Sequence, residues 1–426
     1  MMTYDEALNY IHSVNWRGSR PGLERITELL KKLGNPEKHL QCIHIGGTNG
    51  KGSTSAMLDS ILRCAGYSVG TFTSPFIERF NERIMLDGAP ISDKDLCRFL
   101  SVVAPIAEAM DDKPTEFELI TALGFLYFKE KGCDYVVLEV GMGGRLDSTN
   151  VIDSPVLSIV TGIALDHTAI LGDTVEAIAA EKAGIIKENR PVLYGGEDQT
   201  ARAIFEREAA AKNAPFYVTD RATLSLTRSD LFGNLFDFGK YRDLFLPLCG
   251  LYQTRNAATV LTAVDILRGE GLVISDAALT EGLSQTSWRA RFEVLSREPL
   301  FVFDGSHNPE GIAAAAESIA AYFKGEKLFF LTGVMADKAY DGMAKALAPF
   351  AKKVFTVTPD NPRALSSDQL ASVYRENGVS AESFSTVEEG VGAVFWAAVK
   401  EKTPIVALGS LYMYGEVKAS LKKLLP

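Results

Sequence analysis

Residues 43–54 read Ile-His-Ile-Gly-Gly-Thr-Asn-Gly-Lys-Gly-Ser-Thr, and no other stretch restricts the fold so tightly. A short apolar run ends in glycines, a lysine follows, and Leu58, Ile61 and Leu62 then recur at helical spacing. That order predicts a strand, a phosphate-cradling loop and a helix. Glycines let backbone N–H groups turn inward, Lys51 brings positive charge, and the helix N-terminus adds its dipole. A chain built around such a turn is expected to bind a nucleoside triphosphate. The loop departs from the common Walker form. Ile45 stands where that form has its first glycine, and Gly52 delays the first hydroxyl to Ser53. A glycine-rich turn with a surface lysine is the plainer reading. Strand, loop and helix signals agree instead on a variant phosphate loop, unlike that of GTPases and kinases.

The surrounding pattern supplies a sheet to carry the loop. Amphipathic helices are predicted at 3–12 and 22–33, a strand at 41–46 and a helix at 53–65. Strand 67–73 and helices near 92–109 and 116–130 follow. Residues 134–141 (Asp-Tyr-Val-Val-Leu-Glu-Val-Gly) form a nearly continuous apolar strand with a carboxylate near its end. Strands at 156–161 and 191–195, with a helix at 174–183 between them, continue the alternation, which indicates a parallel sheet buried on both faces. Residues 222–248 alternate apolar and polar positions and read as antiparallel strands of a small side sheet. Helices near 252–267 and 275–284 close this part. A short linker around 293–299 then leads to a second α/β unit, with strands at 300–303, 327–332, 353–358 and 405–408. The expected division is therefore 1–294 and 295–426.

Composition narrows the function. The chain of 426 residues carries 44 basic and 54 acidic residues, a net charge of −10. That balance argues against broad nucleic-acid or membrane binding. The five cysteines form no CxxC pair, and the N-terminus lacks an apolar leader core. No apolar run reaches the ~18 residues of a membrane span. A cytoplasmic monomer is expected.

In open parallel sheets, ligands bind beyond the C-terminal ends of the strands. Ser74, Glu139, Asp166 and His167, and then Asp304, Ser306, His307 and Asn308, all fall at such ends. A hydroxyl, a carboxylate and an imidazole beside a triphosphate suit Mg2+, which shares oxygen ligands with phosphate. Each has a plainer alternative. Ser74 before Pro75 is equally a turn residue, His167 a helix cap, and Lys182 on its helix a solvated lysine. His12 and His44 read as structural. Glu139 is different, because an unpaired carboxylate in an apolar strand is costly. Gly141-Met-Gly-Gly-Arg145 lacks the full dinucleotide fingerprint, and a turn follows it, so an NAD site is set aside.

Taken together, these motifs resemble the folylpolyglutamate synthase/dihydrofolate synthase family of the Mur ligase superfamily. They are Arg20-Pro-Gly-Leu-Glu-Arg25, Gly47-Thr-Asn-Gly-Lys-Gly-Ser53, Thr73-Ser-Pro-Phe76 with Asn81-Glu-Arg-Ile84, Thr115-Glu-Phe-Glu118, Leu138 to Asn150, and Asp304-Gly-Ser-His-Asn-Pro309. The resemblance runs from about residue 4 to Tyr412. It implies a mostly parallel, Mur-ligase-like phosphate-loop domain with a small antiparallel side sheet, and a C-terminal Rossmann-like α/β domain. It also implies ATP- and Mg2+-dependent addition of L-glutamate to folates through an acyl phosphate. The alternatives are a Mur-type ligase acting on another carboxylate and a phosphate-loop ATPase that makes no amide.

Residue by residue, the resemblance implies ATP contacts at Thr48, Asn49, Gly50, Lys51, Gly52, Ser53, Asn256, Arg291 and Asp304. It implies Mg2+ ligands at Ser74, Glu139 and His167, joined by Lys182 if that lysine is carbamylated. Lys51, Lys182, Asp304 and His307 would serve catalysis. Arg83, His307 and Ser410 match positions associated with the incoming glutamate. Phe76, Thr115, Glu116, Phe117, Glu118, Leu146, Asp147 and Ser148 match the folate side. Arg289 stands where the family usually has proline. The Gly-Gly-Arg-Leu-Asp wording leans toward dihydropteroate as a further substrate and leaves the choice open.

Overall fold

A computed structural model of the protein describes residues 2–14 and 20–425. The first sheet contains β1 (Cys42–Gly46), β2 (Val69–Phe72), β3 (Ile84–Leu86), β4 (Ala89–Pro90), β5 (Tyr135–Glu139), β6 (Leu157–Val160), β7 (Val192–Tyr194) and β8 (Phe216–Val218). Its order is β4-β3-β2-β5-β1-β6-β7-β8. It is parallel from β2 to β8, and β3 and β4 add an antiparallel edge. The central strands β1, β2, β5 and β6 are buried along almost their whole length. This is why they lack polar alternation in sequence. The helices Tyr4–Ser13, Glu24–Lys32, Asp93–Glu108 and Glu116–Lys131 contribute Ile11, Ile26, Leu29, Leu100, Leu123 and Phe128 to one continuous core with β2 and β5.

The small sheet is antiparallel, as expected: β9 (Leu224–Asp230), β10 (Gly233–Phe238) and β11 (Tyr241–Leu246), with β10 central. The third sheet contains β12 (Glu293–Arg297), β13 (Leu300–Asp304), β14 (Leu328–Thr332), β15 (Ala351–Val357), β16 (Ala381–Phe384) and β17 (Ile405–Leu408). Its order is β12-β13-β17-β14-β15-β16, and it is parallel except for β12.

Two local expectations are corrected. The segment read as a linker is β12, an edge strand paired antiparallel with β13. Its half-exposed Glu-Val-Leu-Ser-Arg sequence carries no strong strand pattern, and the neighbouring ladder supplies the order instead. The helix after the phosphate loop begins at Lys51, two residues before the expected 53. Gly50, at φ 85°, turns the chain directly into it.

The chain forms two compact units: Met1–Thr223 with Asn256–Thr286, and Leu224–Arg255 with Ser287–Pro426. The single cut expected at 294 thus differs from the packing over residues 224–255. Within the second unit, Ser229 Oγ lies 2.6 Å from Tyr322 Oη, and the Arg297 guanidinium stacks 4.1 Å from the centre of the Phe232 ring. Strand periodicity names a small sheet but not the core it joins.

Candidate active site

In the first unit, four adjacent parallel strands, in the order β2-β5-β1-β6, deliver the expected residues to one end of the sheet. Ser74 lies two residues beyond β2, Glu139 ends β5, the phosphate loop follows β1, and Asp166 and His167 lie beyond β6. Glu139 pairs with Ile45 in register, so the carboxylate emerges beside the start of the loop.

The loop is clasped from behind. Thr48 N–H donates to Gly162 O at 2.8 Å, Thr48 Oγ1 to Ala164 O at 3.2 Å, and Thr161 Oγ1 to Asn49 O at 2.6 Å. The N-cap of the helix Lys51–Cys64 is Gly50, which has no side-chain acceptor for the first-turn N–H groups. Such a helix end suits an anion. A Cβ on Gly50 would stand 2.5 Å from Asn256 Oδ1, so glycine is what lets Asn256 approach the loop. Lys51 Nζ donates to Thr48 O at 3.2 Å.

Lys182 is not the solvated lysine its helix suggested. It is 4% exposed, and its Nζ donates to Gly47 O at 2.9 Å. Burial, reinforced by the nearby Lys51 charge, lowers its amine to about 7. Asp166 and Asp147 pull weakly the other way.

Asp147, at the end of the Gly141–Leu146 loop, is buried and organises that loop. One oxygen accepts from Met142 N at 2.8 Å, and the other from Thr149 N at 3.0 Å and Thr149 Oγ1 at 2.5 Å. Burial pushes its carboxyl upward, and these donors oppose the shift. Ser148 is buried, whereas Leu146 is 43% exposed.

Several folate-side residues have local work. Thr115 and Glu118 form the capping box of the helix Glu116–Lys131. Glu118 also accepts from the buried Arg25 Nε at 3.1 Å. Glu116 lies 3.5 Å from the His12 ring. Phe117 covers Gly141, where a Cβ would come within 2.5 Å of the ring. Arg83 lies over the Phe76 ring at 5.3 Å and the Phe80 ring at 5.6 Å.

The second unit gathers its own set at the C-terminal ends of neighbouring β13 and β17, where Asp304 pairs with Leu408. Asp304 is fully buried. Its Oδ2 accepts from Tyr252 Oη at 2.6 Å and Phe292 N at 2.9 Å, and its Oδ1 from Ser306 N at 2.8 Å. It therefore acts here as an anchor for the surrounding loops. His307 Nδ1 donates to Gly305 O at 2.8 Å, which fixes the proton on Nδ1 and leaves Nε2 as an acceptor when the ring is neutral. Ser410 caps the short turn at Leu411–Met413, and Gly409 N–H donates to Ser306 O at 3.0 Å. Arg291 sits between Ala290 at φ 58° and Phe292 at φ 46°, an uncommon conformation for residues with side chains. Sequence reasoning gave no role to Tyr252, although it lies one helical turn before Asn256. It also gave none to the Thr48–Thr161 clasp, which has no local pattern.

The donor set at Ser74, Glu139 and His167 fits Mg2+ shared with a triphosphate. It is one hydroxyl, one carboxylate and one imidazole, too few to hold the ion alone. Among the described residues no three His, Cys, Asp or Glu side chains converge as a metal site. Such an ion takes its remaining oxygens from phosphate and water.

Comparison with known proteins agrees along the whole chain. Residues 45–264 match the family model of the Mur ligase middle domain, and residues 290–411 that of the Mur ligase glutamate ligase domain. The chain is 39% identical to a dihydrofolate synthase/folylpolyglutamate synthase of Bacillus subtilis, covering 98% of this chain and 99% of that protein. It is 38% identical to a folylpolyglutamate synthase of Lacticaseibacillus casei, covering 99% of each. A crystal structure of Mycobacterium tuberculosis folylpolyglutamate synthase, complexed with ADP and AMPPCP, superposes with a TM-score of 0.90 at 29% identity. That match covers 99% of this chain and 98% of that one.

Proposed function

Since the chain belongs to the folylpolyglutamate synthase/dihydrofolate synthase family of Mur ligases, we propose that it joins L-glutamate to folates at the expense of ATP. The observation that carries this reading is the adjacency at the ends of β2, β5, β1 and β6. A phosphate loop, a hydroxyl and a buried carboxylate meet there. A carboxylate oxygen of the folate attacks the γ-phosphorus, the bond to the β-bridging oxygen breaks, and ADP leaves with that electron pair. The resulting acyl phosphate is attacked by the glutamate amine. The C–O bond to phosphate breaks, a proton is lost from nitrogen, and an amide and inorganic phosphate result.

Each residue has a place in this scheme. Lys51 and the N–H groups at the helix start hold the β- and γ-phosphates. Ser74, Glu139 and His167 would hold Mg2+ together with the phosphates, and the ion would supply neutralisation of phosphate charge. Lys182, with an amine lowered to about 7, carries a substantial neutral fraction near neutral pH. A neutral amine can add through its lone pair to the carbon of CO2 and lose a proton to solvent, giving a carbamate that would be an anionic ligand for a second Mg2+. Asn256, and Arg291 beside Asp304, serve the nucleotide. Arg83, His307 and Ser410 receive glutamate, whose carboxylates suit a guanidinium. Phe76, Phe117, Leu146 and Ser148 face the folate. Asp147, Asp304, Thr115 and Glu118 hold the loops that carry these groups.

Nucleotide and folate binding fall to residues 1–294 and glutamate ligation to 295–426, with 224–255 packed in the second unit. Dihydropteroate is a second acceptor for glutamate. The enzyme works as a monomer in the cytoplasm, a compartment that suits its five free thiols. Phosphate release measured with ATP, Mg2+, a reduced folate and L-glutamate, omitting one at a time, tests the scheme. Release must depend on all four, and release that persists without glutamate refutes amide formation.

A further inference from the structure

His44 stands in β1, three residues before the phosphate loop begins its turn at Gly47, and its side chain is completely buried. Its Nε2 lies 2.9 Å from Thr149 Oγ1. The Thr149 hydroxyl donates its single proton to Asp147 Oδ1 at 2.5 Å, so toward His44 it can only accept. The imidazole proton therefore sits on Nε2, and the bond runs from histidine to threonine to aspartate. Burial keeps the ring neutral, with its pKa lowered to about 3, so this tautomer holds across the working pH range. The His44 Nδ1 atom is buried without a hydrogen-bond partner. An apolar residue of like size would pack there without that cost, so what histidine adds at this position is the Nε2 donor to Thr149. The other Asp147 oxygen accepts from Met142 N, so the relay ends in the backbone of the loop that follows β5.

That loop is almost wholly buried from Gly143 to Asn150, except at Arg145 and Leu146. Arg145 pairs with Glu181, leaving Leu146 as the apolar side chain the loop holds outward. We propose that His44 is a positioning residue for the folate acceptor. Through Thr149 and Asp147 it sets the loop that presents Leu146, and with it the affinity for the aromatic ring system of the substrate. This rests on the folate-ligase reading and adds a residue to its acceptor side.

The experiment compares His44→Leu and Thr149→Val, which remove the relay, with His44→Gln and Thr149→Ser, which keep a donor or hydroxyl near the same place. In the first pair, KM for the folate is expected to rise about tenfold, the loss of about 1.4 kcal/mol for one buried hydrogen bond, with KM for ATP within about twofold. The second pair is expected to stay within about threefold of wild type. Hydrogen exchange provides a readout independent of turnover. The amides of Met142 and Thr149 should lose protection in the first pair, while those of Thr54 to Leu58 do not. If His44→Leu fails to fold, Thr149→Val carries the test alone. Equal rises in the folate and ATP KM, or unchanged protection at Met142 and Thr149, overturn the proposal. A wild-type enzyme without glutamate-dependent turnover overturns the ligase reading instead, and the exchange result still decides the relay.

Discussion

Lys182 allows the electrostatics of the phosphate loop to be tested in isolation. Its amine is lowered to about 7 from the ordinary 10.5. At about 1.4 kcal/mol per pH unit, the protonated amine is disfavoured in the fold by about 5 kcal/mol relative to the unfolded chain. Below about pH 7 both states carry the proton and the full penalty applies. Between about 7 and 10.5 the folded chain has released its proton while the unfolded chain retains it. The unfolded state then binds more protons, so stability rises with pH. From about pH 6 to about pH 9 the wild-type chain should gain about 3 kcal/mol that Lys182→Met does not. The methionine also loses the 2.9 Å bond to Gly47 O, but that is a constant offset, and the slope carries the argument. A chain of two compact units need not unfold as one transition. The readout is therefore urea denaturation in CO2-free buffer, followed by pulsed hydrogen exchange of peptides from β1 and the helix Lys51–Cys64. Parallel stability–pH lines for the two proteins would refute the lowered amine. Adding 13C-bicarbonate should then give a carbamate resonance in the wild type that is missing from Lys182→Met.

Two further substitutions probe the frame around the site. Gly50→Ala places a Cβ at φ 85°, 2.5 Å from Asn256 Oδ1. Backbone strain of about 1–2 kcal/mol plus that clash should weaken binding of a non-hydrolysable ATP analogue at least about tenfold by calorimetry, and unchanged affinity would mean the loop does not hold the nucleotide in this conformation. Glu118→Ala removes the close carboxylate partner of the buried Arg25, whose side chain is 8% exposed, leaving Asp112 at 3.6 Å and the Arg20 carbonyl. The expected loss in urea denaturation is about 3–5 kcal/mol, and a loss under about 1 kcal/mol would show the pair to be solvated in solution.

Much of the fold was legible because its signals are local. The glycines and lysine of the phosphate loop, and the continuous apolar strands of a buried parallel sheet, need no knowledge of their neighbours. What escaped was decided by tertiary partners. β12 has no pattern of its own and is ordered by pairing with β13. Residues 224–255 pack with the second unit through contacts such as Ser229 to Tyr322. In the helix Val175–Ala183 Lys182 lies one turn after Ile178, on the buried face, but a nine-residue helix with so few large apolar side chains marks that face only faintly. The capping box was readable at Thr115-Glu-Phe-Glu118. The same four residues also match a substrate motif, so one stretch carries both signals.

The same distinction applies among the residues that resemblance ties to the site, some of which are engaged by the protein's own loops. Asp147 and Asp304 both stand in motifs associated with substrates, and both oxygens of each carboxylate accept from the protein's own loops. Each gathers three hydrogen bonds from backbone N–H and hydroxyl groups at a strand-end turn. Two oxygens with several lone-pair directions let one side chain fix two loop segments at once, which an asparagine, with a donor replacing one acceptor, cannot do. A motif identifies the positions on which a site depends, without distinguishing a residue that touches the ligand from one that holds the loop. Burial alone does not draw the line, since Glu139 and Lys182 are also inside; accepting hydrogen bonds from the protein's own loops marks the holding residues. The two aspartates, with Thr115 and Glu118, are inside and hold, while Leu146 and His167 are exposed beyond the strand ends. The proposed site thus combines buried groups, Glu139 and Lys182, with more open ones, and His44 extends the holding role from the strand before the phosphate loop to the loop after β5.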